Sequence, residues 1–195
     1  MINSGFEKNV LKFKPSWGVV EGYFYTRPVR HILCGFAYER VREGAYIWRF
    51  ALPLYDHLDS LTLNFGERVA NSGKLMISGQ VETAAEEFVR RIGPFETETY
   101  RWQDLDVFLN RFQASRAIAN PWVRRACAWT QILLGRVSDA RVNLEFLCSN
   151  EGTRDYPHFL EDIEHVLSDL KNGVENARSS LLTWEAQTKR RLGVE

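Results

Sequence analysis

The spacing of hydrophobic residues changes near residue 80, and this change constrains the fold more than any other feature of the chain. Before it, apolar side chains alternate with polar ones over short segments, which is the period of a β-strand. After it, they recur every three or four residues, which is the period of an amphipathic helix. We therefore predict an α+β protein in which an N-terminal antiparallel β-meander is followed by a C-terminal helical bundle. The expected division is a β-rich region at residues 1–79 and a helical region at 80–195, packed as one body.

Four segments of the first region alternate clearly between apolar and polar residues. They are residues 19–27, 32–40, 46–52 and 61–65, and a further strand is expected at 10–14. The connections between them are short and contain turn residues, so consecutive strands should pair antiparallel.

The stretch AYIWRFALPLYDHLDSLTLNFGERV (residues 45–69) is dense in large apolar side chains. Its members at strand spacing are expected to fill one side of the sheet as core: Trp48, Phe50, Leu63 and Phe65. The other side carries an aromatic and basic group, the candidate interface, formed by Tyr23, Tyr25, Arg27 and Arg49. We expect this group to be exposed, because burying two tyrosines and two arginines together requires more hydrogen-bond partners than the same face supplies.

Six helices are predicted in the second region. Asn120 as N-cap and Pro121 at the first helical position mark the start of one of them, and Gly135 marks its end. The segment ACAWTQILLGRVSDARVNLEFL (residues 126–147) resembles one helix-turn-helix unit of a tetratricopeptide repeat. No second copy follows at the roughly 34-residue period of that family, so we interpret the segment as a local helical hairpin.

The charge balance and the cysteines restrict the class of protein. The chain has 25 basic and 25 acidic residues, so no overall field favours DNA or an anionic membrane. The three cysteines, Cys34, Cys127 and Cys148, lie far apart among apolar neighbours, which indicates buried thiols in a reducing compartment. Neither a signal peptide nor a run of 18 apolar residues occurs, and we expect a cytoplasmic protein with no membrane partner.

Histidines and their acidic neighbours are the weak candidates for a metal site or for acid–base chemistry. His158, Asp162 and His165 project to one side of a predicted helix, as ligands of a divalent metal could. Polar faces of this kind are common on amphipathic helices, so we expect no metal and no cofactor. His57 lies in a YDHLD turn, where histidine can serve acid–base chemistry but more often hydrogen-bonds the local backbone.

No catalytic motif is recognisable in the chain. A nucleophile elbow, a phosphate loop, a dinucleotide fingerprint and a His-Glu-x-x-His pair are all absent from the sequence. A nuclease site assembled from scattered residues such as Glu21, Glu39, Arg40 and Glu67 stays open as an alternative. We predict no catalytic residues and a protein that is not an enzyme.

Arginine accounts for 19 of the 25 basic residues. Arginine together with tyrosine and tryptophan is typical of the residues that contribute most energy at protein interfaces. The same combination also suits single-stranded nucleic acid. Most of these arginines can instead pair with the equally numerous acidic residues across helix faces.

A longer stretch, FAYERVREGAYIWRFALPLYDHLDSLTLNFGERV (residues 36–69), resembles a group of uncharacterised bacterial proteins of similar length, above all in WRFALPLYD and LTLNFGER. Those proteins have a small sheet followed by helices and tend to be encoded beside toxins or anti-phage systems. The resemblance implies an immunity or defence-accessory context, with a toxin or defence-complex subunit as partner. It assigns no functional residue.

These observations favour a non-enzymatic component that binds another protein, in the specific form of a bacterial immunity or anti-phage defence accessory protein. The alternative is a protein that binds or processes nucleic acid through an arginine and aromatic surface, which we do not favour.

Overall fold

The computed structural model describes residues 4–42, 44–57, 60–70, 73–76 and 80–194. Its helices and strands, in chain order, are α1 (Ser4–Phe13), β1 (Trp17–Val20), β2 (Tyr23–Thr26), β3 (Ile32–Val41), β4 (Gly44–Pro53), β5 (Gly66–Arg68), α2 (Val81–Ile92), α3 (Glu96–Arg101), α4 (Leu105–Gln113), α5 (Pro121–Leu133), α6 (Val137–Ser149), α7 (Pro157–Asn172) and α8 (Val174–Leu192). Short 3-10 helices lie at Gly93–Phe95, Arg116–Ala119 and Glu151–Thr153.

The predicted fold class is confirmed. The five strands form one antiparallel sheet in the order β1-β2-β3-β4-β5, and helices follow it to the end of the described chain. Each strand pairs with its neighbour in sequence, as a meander requires. None of the described helices has the length and apolar character needed to cross a membrane.

Three strand predictions were wrong. Residues 19–27 do not form one strand: Glu21 and Gly22, with positive φ of 49° and 84°, make a turn that joins β1 to β2. Residues 10–14 belong mostly to helix α1, in which Phe6 and Val10 lie one turn apart and are both buried. Residues 61–65 form turns, because the Gly66 amide donates to the Leu63 carbonyl at 2.8 Å and the Thr62 hydroxyl accepts from the Asn64 amide at 3.1 Å. These local bonds satisfy backbone groups that a strand would use in the sheet, so the last strand begins only at Gly66.

The chain divides into two compact units with bounds of their own. The sheet unit comprises residues 1–52, 61–103 and 190–195, and the helical unit comprises residues 53–60 and 104–189. In the sheet unit, α1 and α2 pack on one face of the sheet. The rings of Phe6 and Phe24 both meet the ring of Phe88, with centroids 5.7 and 5.3 Å apart.

The helical unit contains helices α4 to α7 and most of α8. The hairpin predicted at residues 126–147 is confirmed: α5 and α6 are joined through Gly135, whose positive φ of 78° favours glycine. The predicted N-cap is also confirmed, since the Asn120 Oδ1 atom accepts from the Trp122 amide at 2.9 Å. Residues 53–56 enter the interior of this unit, where the Tyr55 hydroxyl lies 2.7 Å from the Thr130 hydroxyl.

Candidate functional site

The four residues of the predicted interface do not form one exposed surface. Arg49 shares the helix-covered face with Ile47, and its guanidinium lies 4.9 Å from the Trp102 ring centroid. Arg49 also pairs with Glu67 and, at 2.7 Å, with Glu98. These contacts engage its charge within the sheet unit.

The two tyrosines occupy the opposite face, where the ring of Tyr23 lies 5.0 Å from that of Phe50. Tyr25 is only 2% exposed, because Gly18 on the paired strand leaves room for its ring. A Cβ at Gly18 would lie 2.3 Å from the Tyr25 ring. Arg27 is exposed at the end of β2. The prediction of an exposed patch was therefore wrong for Tyr25 and for the common face with Arg49.

The predicted core residues of the aromatic stretch are buried only in part. Phe50 and Phe65 are buried, whereas Trp48 and Leu63 are half-buried. The Trp48 indole donates to Glu39 at 3.0 Å in an exposed position. Trp48 was thus wrongly predicted to be a core residue.

The three weak metal candidates have different partners. His158 pairs with Glu161 at 3.0 Å and His165 with Asp169 at 3.4 Å. Asp162 instead contacts His57 and Arg125. Among the described residues, no group of three or more histidines, cysteines or carboxylates is arranged to hold a metal ion.

We expect exhaustive chelation with EDTA to leave the melting temperature of the protein unchanged, because the three candidate ligands are engaged in separate pairs. The measurement is a thermal melt before and after EDTA treatment and dialysis. A lower melting temperature that is restored by added Zn²⁺ would show that these residues do bind metal.

Arg125 is the centre of the most elaborate polar arrangement in the helical unit. Its side chain is 2% exposed and extends from the second turn of α5. Its Nε atom donates to Asp56 Oδ1 at 3.0 Å, Nη2 donates to the Asp56 carbonyl at 3.1 Å, and Nη1 donates to Asp162 Oδ2 at 3.1 Å. The rings of Trp122 and Phe159 lie 4.9 and 4.6 Å from the guanidinium carbon. Arg125 is therefore fixed by both charge and packing.

Asp56 is completely buried. Burial raises the pKa of its carboxyl group to about 6, although Arg125 lowers it. The second carboxylate, Asp162, raises it further. The buried indole N–H of Trp129 faces the same carboxyl group and, like Arg125, lowers its pKa. The negative charge of the buried Asp56 carboxylate is therefore compensated by Arg125.

His57 contacts the oxygen of Asp162 that Arg125 does not bind. Its Nδ1 atom lies 3.2 Å from Asp162 Oδ1, and its ring stacks on Trp184 at 5.2 Å with an angle of 11°. Its φ is positive, at 44°. His57 and Asp162 are 105 positions apart in the chain. The main partner of His57 is therefore a distant side chain and not the backbone of its own turn.

These residues border one cavity of about 250 Å³. Its lining consists of His57, Trp122, Arg125, His158, Phe159, Glu161 and Asp162. No serine, threonine, cysteine or lysine is among these described lining residues, and the polar part of the wall consists of two histidines, two carboxylates and Arg125. Its aromatic rings and carboxylates are groups that hold a cation.

Two exposed aromatic residues lie beside the first turns of α5. Phe146 is 48% exposed, and the Arg124 guanidinium lies 4.2 Å above its ring. Tyr156 is 51% exposed, and its ring lies 6.0 Å from that of Trp122. We call the group Trp122, Arg124, Val142, Phe146 and Tyr156 the α5 surface. Trp122 also lines the cavity, so the two features adjoin.

Comparison with known proteins supplies no relative from which these residues could take a role. No protein family, curated protein or solved structure matches the chain.

Proposed function

We propose that this protein is a non-enzymatic component that binds another protein through the α5 surface. The observation that carries the proposal is the pair of exposed aromatic side chains, Phe146 and Tyr156, held beside Arg124 and Trp122. Aromatic residues and arginine supply most of the binding energy at many protein interfaces.

Helix α6 has apolar residues on two faces. Ala140, Leu144 and Leu147 are buried, whereas Val142 and Phe146 are exposed one helical turn apart. Val142 is 68% exposed. A single exposed apolar residue needs no explanation, but Val142 and Phe146 are neighbours on one helix face, and Phe146 also contacts Arg124, so they form a patch that a partner can cover.

The charges near this surface favour a basic protein segment over nucleic acid. Glu161 and Asp162 line the adjoining cavity, and Glu145 is exposed on α6 between Val142 and Phe146 in sequence. Arg125, a further charged group of the cavity, is matched by Asp56. Arg124 adds one positive charge to the α5 surface, against the three carboxylates of Glu145, Glu161 and Asp162. Phosphates would be repelled by the carboxylates, whereas lysine and arginine side chains would be attracted.

The specific form of the proposal is a cytoplasmic bacterial immunity or anti-phage defence accessory protein. Its partner would be a toxin or another defence-complex subunit. The resemblance of residues 36–69 supports this context. The free thiols of Cys34, Cys127 and Cys148 support a reducing compartment, although Cys148 is exposed and was wrongly predicted to be buried.

Phe146→Ala and Tyr156→Ala should each weaken partner binding at least about tenfold, equivalent to about 1.4 kcal/mol. The free energy of unfolding should change by less than about 1 kcal/mol, because both side chains are about half exposed. The partner is first isolated from the source organism with the tagged wild-type protein, then purified and titrated calorimetrically against each variant.

Leu182→Ala is the matched control, since Leu182 is 44% exposed on a different helix and should leave binding unchanged. Equal binding by all three variants would refute the α5 surface as the interface. A nuclease-sensitive complex whose affinity falls steeply with salt would instead support the nucleic-acid alternative.

A further inference from the structure

We infer that the cavity next to His57 receives a basic side chain, lysine or arginine, from the partner protein. This inference rests on the proposed function and specifies the chemistry of the partner at the same site.

The charge of the cavity wall is negative. Glu161 stands at the mouth with a largely exposed carboxylate, and Asp162 lies deeper with one-fifth of its side chain exposed. Arg125 is the one lysine or arginine among the described lining residues, and its guanidinium binds both Asp56 and Asp162, so one cation stands against the three carboxylates of Asp56, Asp162 and Glu161. The carboxylates of Glu161 and Asp162 therefore set the sign of the potential that an entering group meets.

Asp162 retains acceptor capacity for such a group. Its Oδ1 atom meets His57 and its Oδ2 atom meets Arg125, with one contact to each oxygen. A carboxylate offers about four lone-pair positions, so an ammonium or guanidinium can be added without displacing either neighbour. The added hydrogen bond is of the charge-assisted kind, which is stronger than a neutral one.

The size of the cavity suits one side chain. A volume of about 250 Å³ lies below the usual range of about 300–1,000 Å³ for small-molecule pockets. The rings of Trp122 and Phe159 form the apolar part of the wall. Lysine and arginine bury their methylene stems against surfaces of this kind while the charged end pairs elsewhere.

The recognising groups are held in place before a guest enters. Asp162 is fixed between Arg125 and His57, and the His57 ring is stacked flat on Trp184. Groups that are ordered in advance lose little conformational entropy on binding. The site therefore favours a single charged side chain as an anchor over a diffuse electrostatic contact.

The test uses butylammonium and ethylguanidinium as probes of the lysine and arginine side chains. Each is titrated into the full-length protein at pH 7.5 and constant ionic strength, while the NMR signals of the His57 ring and the Trp122 indole are followed. We expect saturable shifts with dissociation constants on the order of 1–10 mM, the range for ligands of this size. The tighter probe identifies the preferred residue type. Butan-1-ol and acetate should shift these signals at least about tenfold more weakly.

Glu161→Gln should weaken binding of the cationic probes about threefold, in the range measured for partly exposed ion pairs. Glu164→Gln is the matched control, because Glu164 is exposed on the same helix but does not line the cavity. Equal effects of the two variants, or equally strong binding of butan-1-ol or acetate, would overturn the inference. So would the absence of any saturable shift with either cation.

The outcome separates this inference from the proposed function. Partner binding that depends on Phe146, combined with no cation binding in the cavity, would leave the proposed function standing and remove the basic anchor. Cation binding that is weakened by Glu161→Gln, combined with unchanged partner binding in Phe146→Ala and Tyr156→Ala, would support a cation site in the cavity and refute the α5 surface as the interface.

Discussion

Arg125→Ala is expected to lower the free energy of unfolding by about 3–5 kcal/mol, the usual loss when one partner of a buried ion pair is removed. The substitution deletes the donors to Asp56 Oδ1, to the Asp56 carbonyl and to Asp162. Asp56 is completely buried, so its carboxylate would lose its compensating charge without gaining water. The measurement is urea unfolding of the two proteins at pH 7.

The loss of unfolding free energy in Arg125→Ala should depend on pH. Its direction follows from the titration of Asp56. In the wild-type protein burial raises the pKa of Asp56 to about 6, above its unfolded value of about 3.9. The contribution of this group to stability is therefore complete below about pH 3.9 and is lost as the pH rises through about 6. Removing Arg125 removes the main influence that lowers this pKa, so the ionised carboxylate becomes still less favourable in the folded state. We expect a smaller loss at pH 5 than at pH 8.

Two further variants make the result specific to Asp56. Asp56→Asn combined with Arg125→Ala should recover part of the loss at pH 8, because the buried charge is then absent. Arg124→Ala, next in the chain but half-buried at the surface beside Phe146, should cost less than about 1 kcal/mol. A loss that is independent of pH in Arg125→Ala would contradict the assignment of the effect to the Asp56 carboxylate.

The sequence predicted those parts of the fold that depend on residues close together in the chain. Strand and helix periods depend on the positions of side chains along one element. The start of α5 at Asn120 and Pro121, and its turn at Gly135, were likewise predicted from single residues with known backbone preferences. Helix α1 was missed although Phe6 and Val10 have helical spacing, because the segment is short and lies directly before the strands.

The candidate site was not predictable because it joins distant parts of the chain. Asp56 and Arg125 are 69 residues apart, and His57 and Asp162 are 105 apart. Arg125 belongs to an Arg-Arg pair that in the sequence looks like a surface feature, yet Arg124 is half-buried at the surface and Arg125 is in the interior. The spacing of apolar residues shows which side chains share a face of a helix. It does not show which of those faces contacts a charged residue from a distant part of the chain.

The prediction of the candidate interface was wrong for two different physical reasons. Arg49 follows Ile47 on the helix-covered face of β4, whereas Tyr23 and Tyr25 lie on the opposite face of β2. Alternation relates side chains within one strand only and does not show which faces of two strands coincide. Tyr25 is buried because Gly18 stands opposite it across the β1–β2 pair. That pairing depends on the register between strands, which the sequence of either strand alone does not determine.

Phe24→Ala should cost about 3–5 kcal/mol of unfolding free energy, as expected for a fully buried aromatic residue. Phe24 lies at the centre of a ring cluster, with ring centroids of Phe6, Tyr38 and Phe88 at 6.2, 6.1 and 5.3 Å. These rings come from α1, β3 and α2, so the space left by the deleted ring is bounded by three elements. Urea unfolding of the variant at pH 7 measures the loss.

Trp48→Ala, in the same sheet, should cost only about 1–2 kcal/mol, because the indole is half-buried and donates to Glu39 at the surface. Phe24→Leu separates loss of volume from loss of the ring, and its cost should lie between the two alanine variants. A larger loss for Trp48→Ala than for Phe24→Ala would mean that the indole, and not the Phe6–Phe24–Phe88 cluster, stabilises the sheet. The comparison tests burial directly, because Trp48 is the larger side chain and would be the costlier deletion if size alone set the effect.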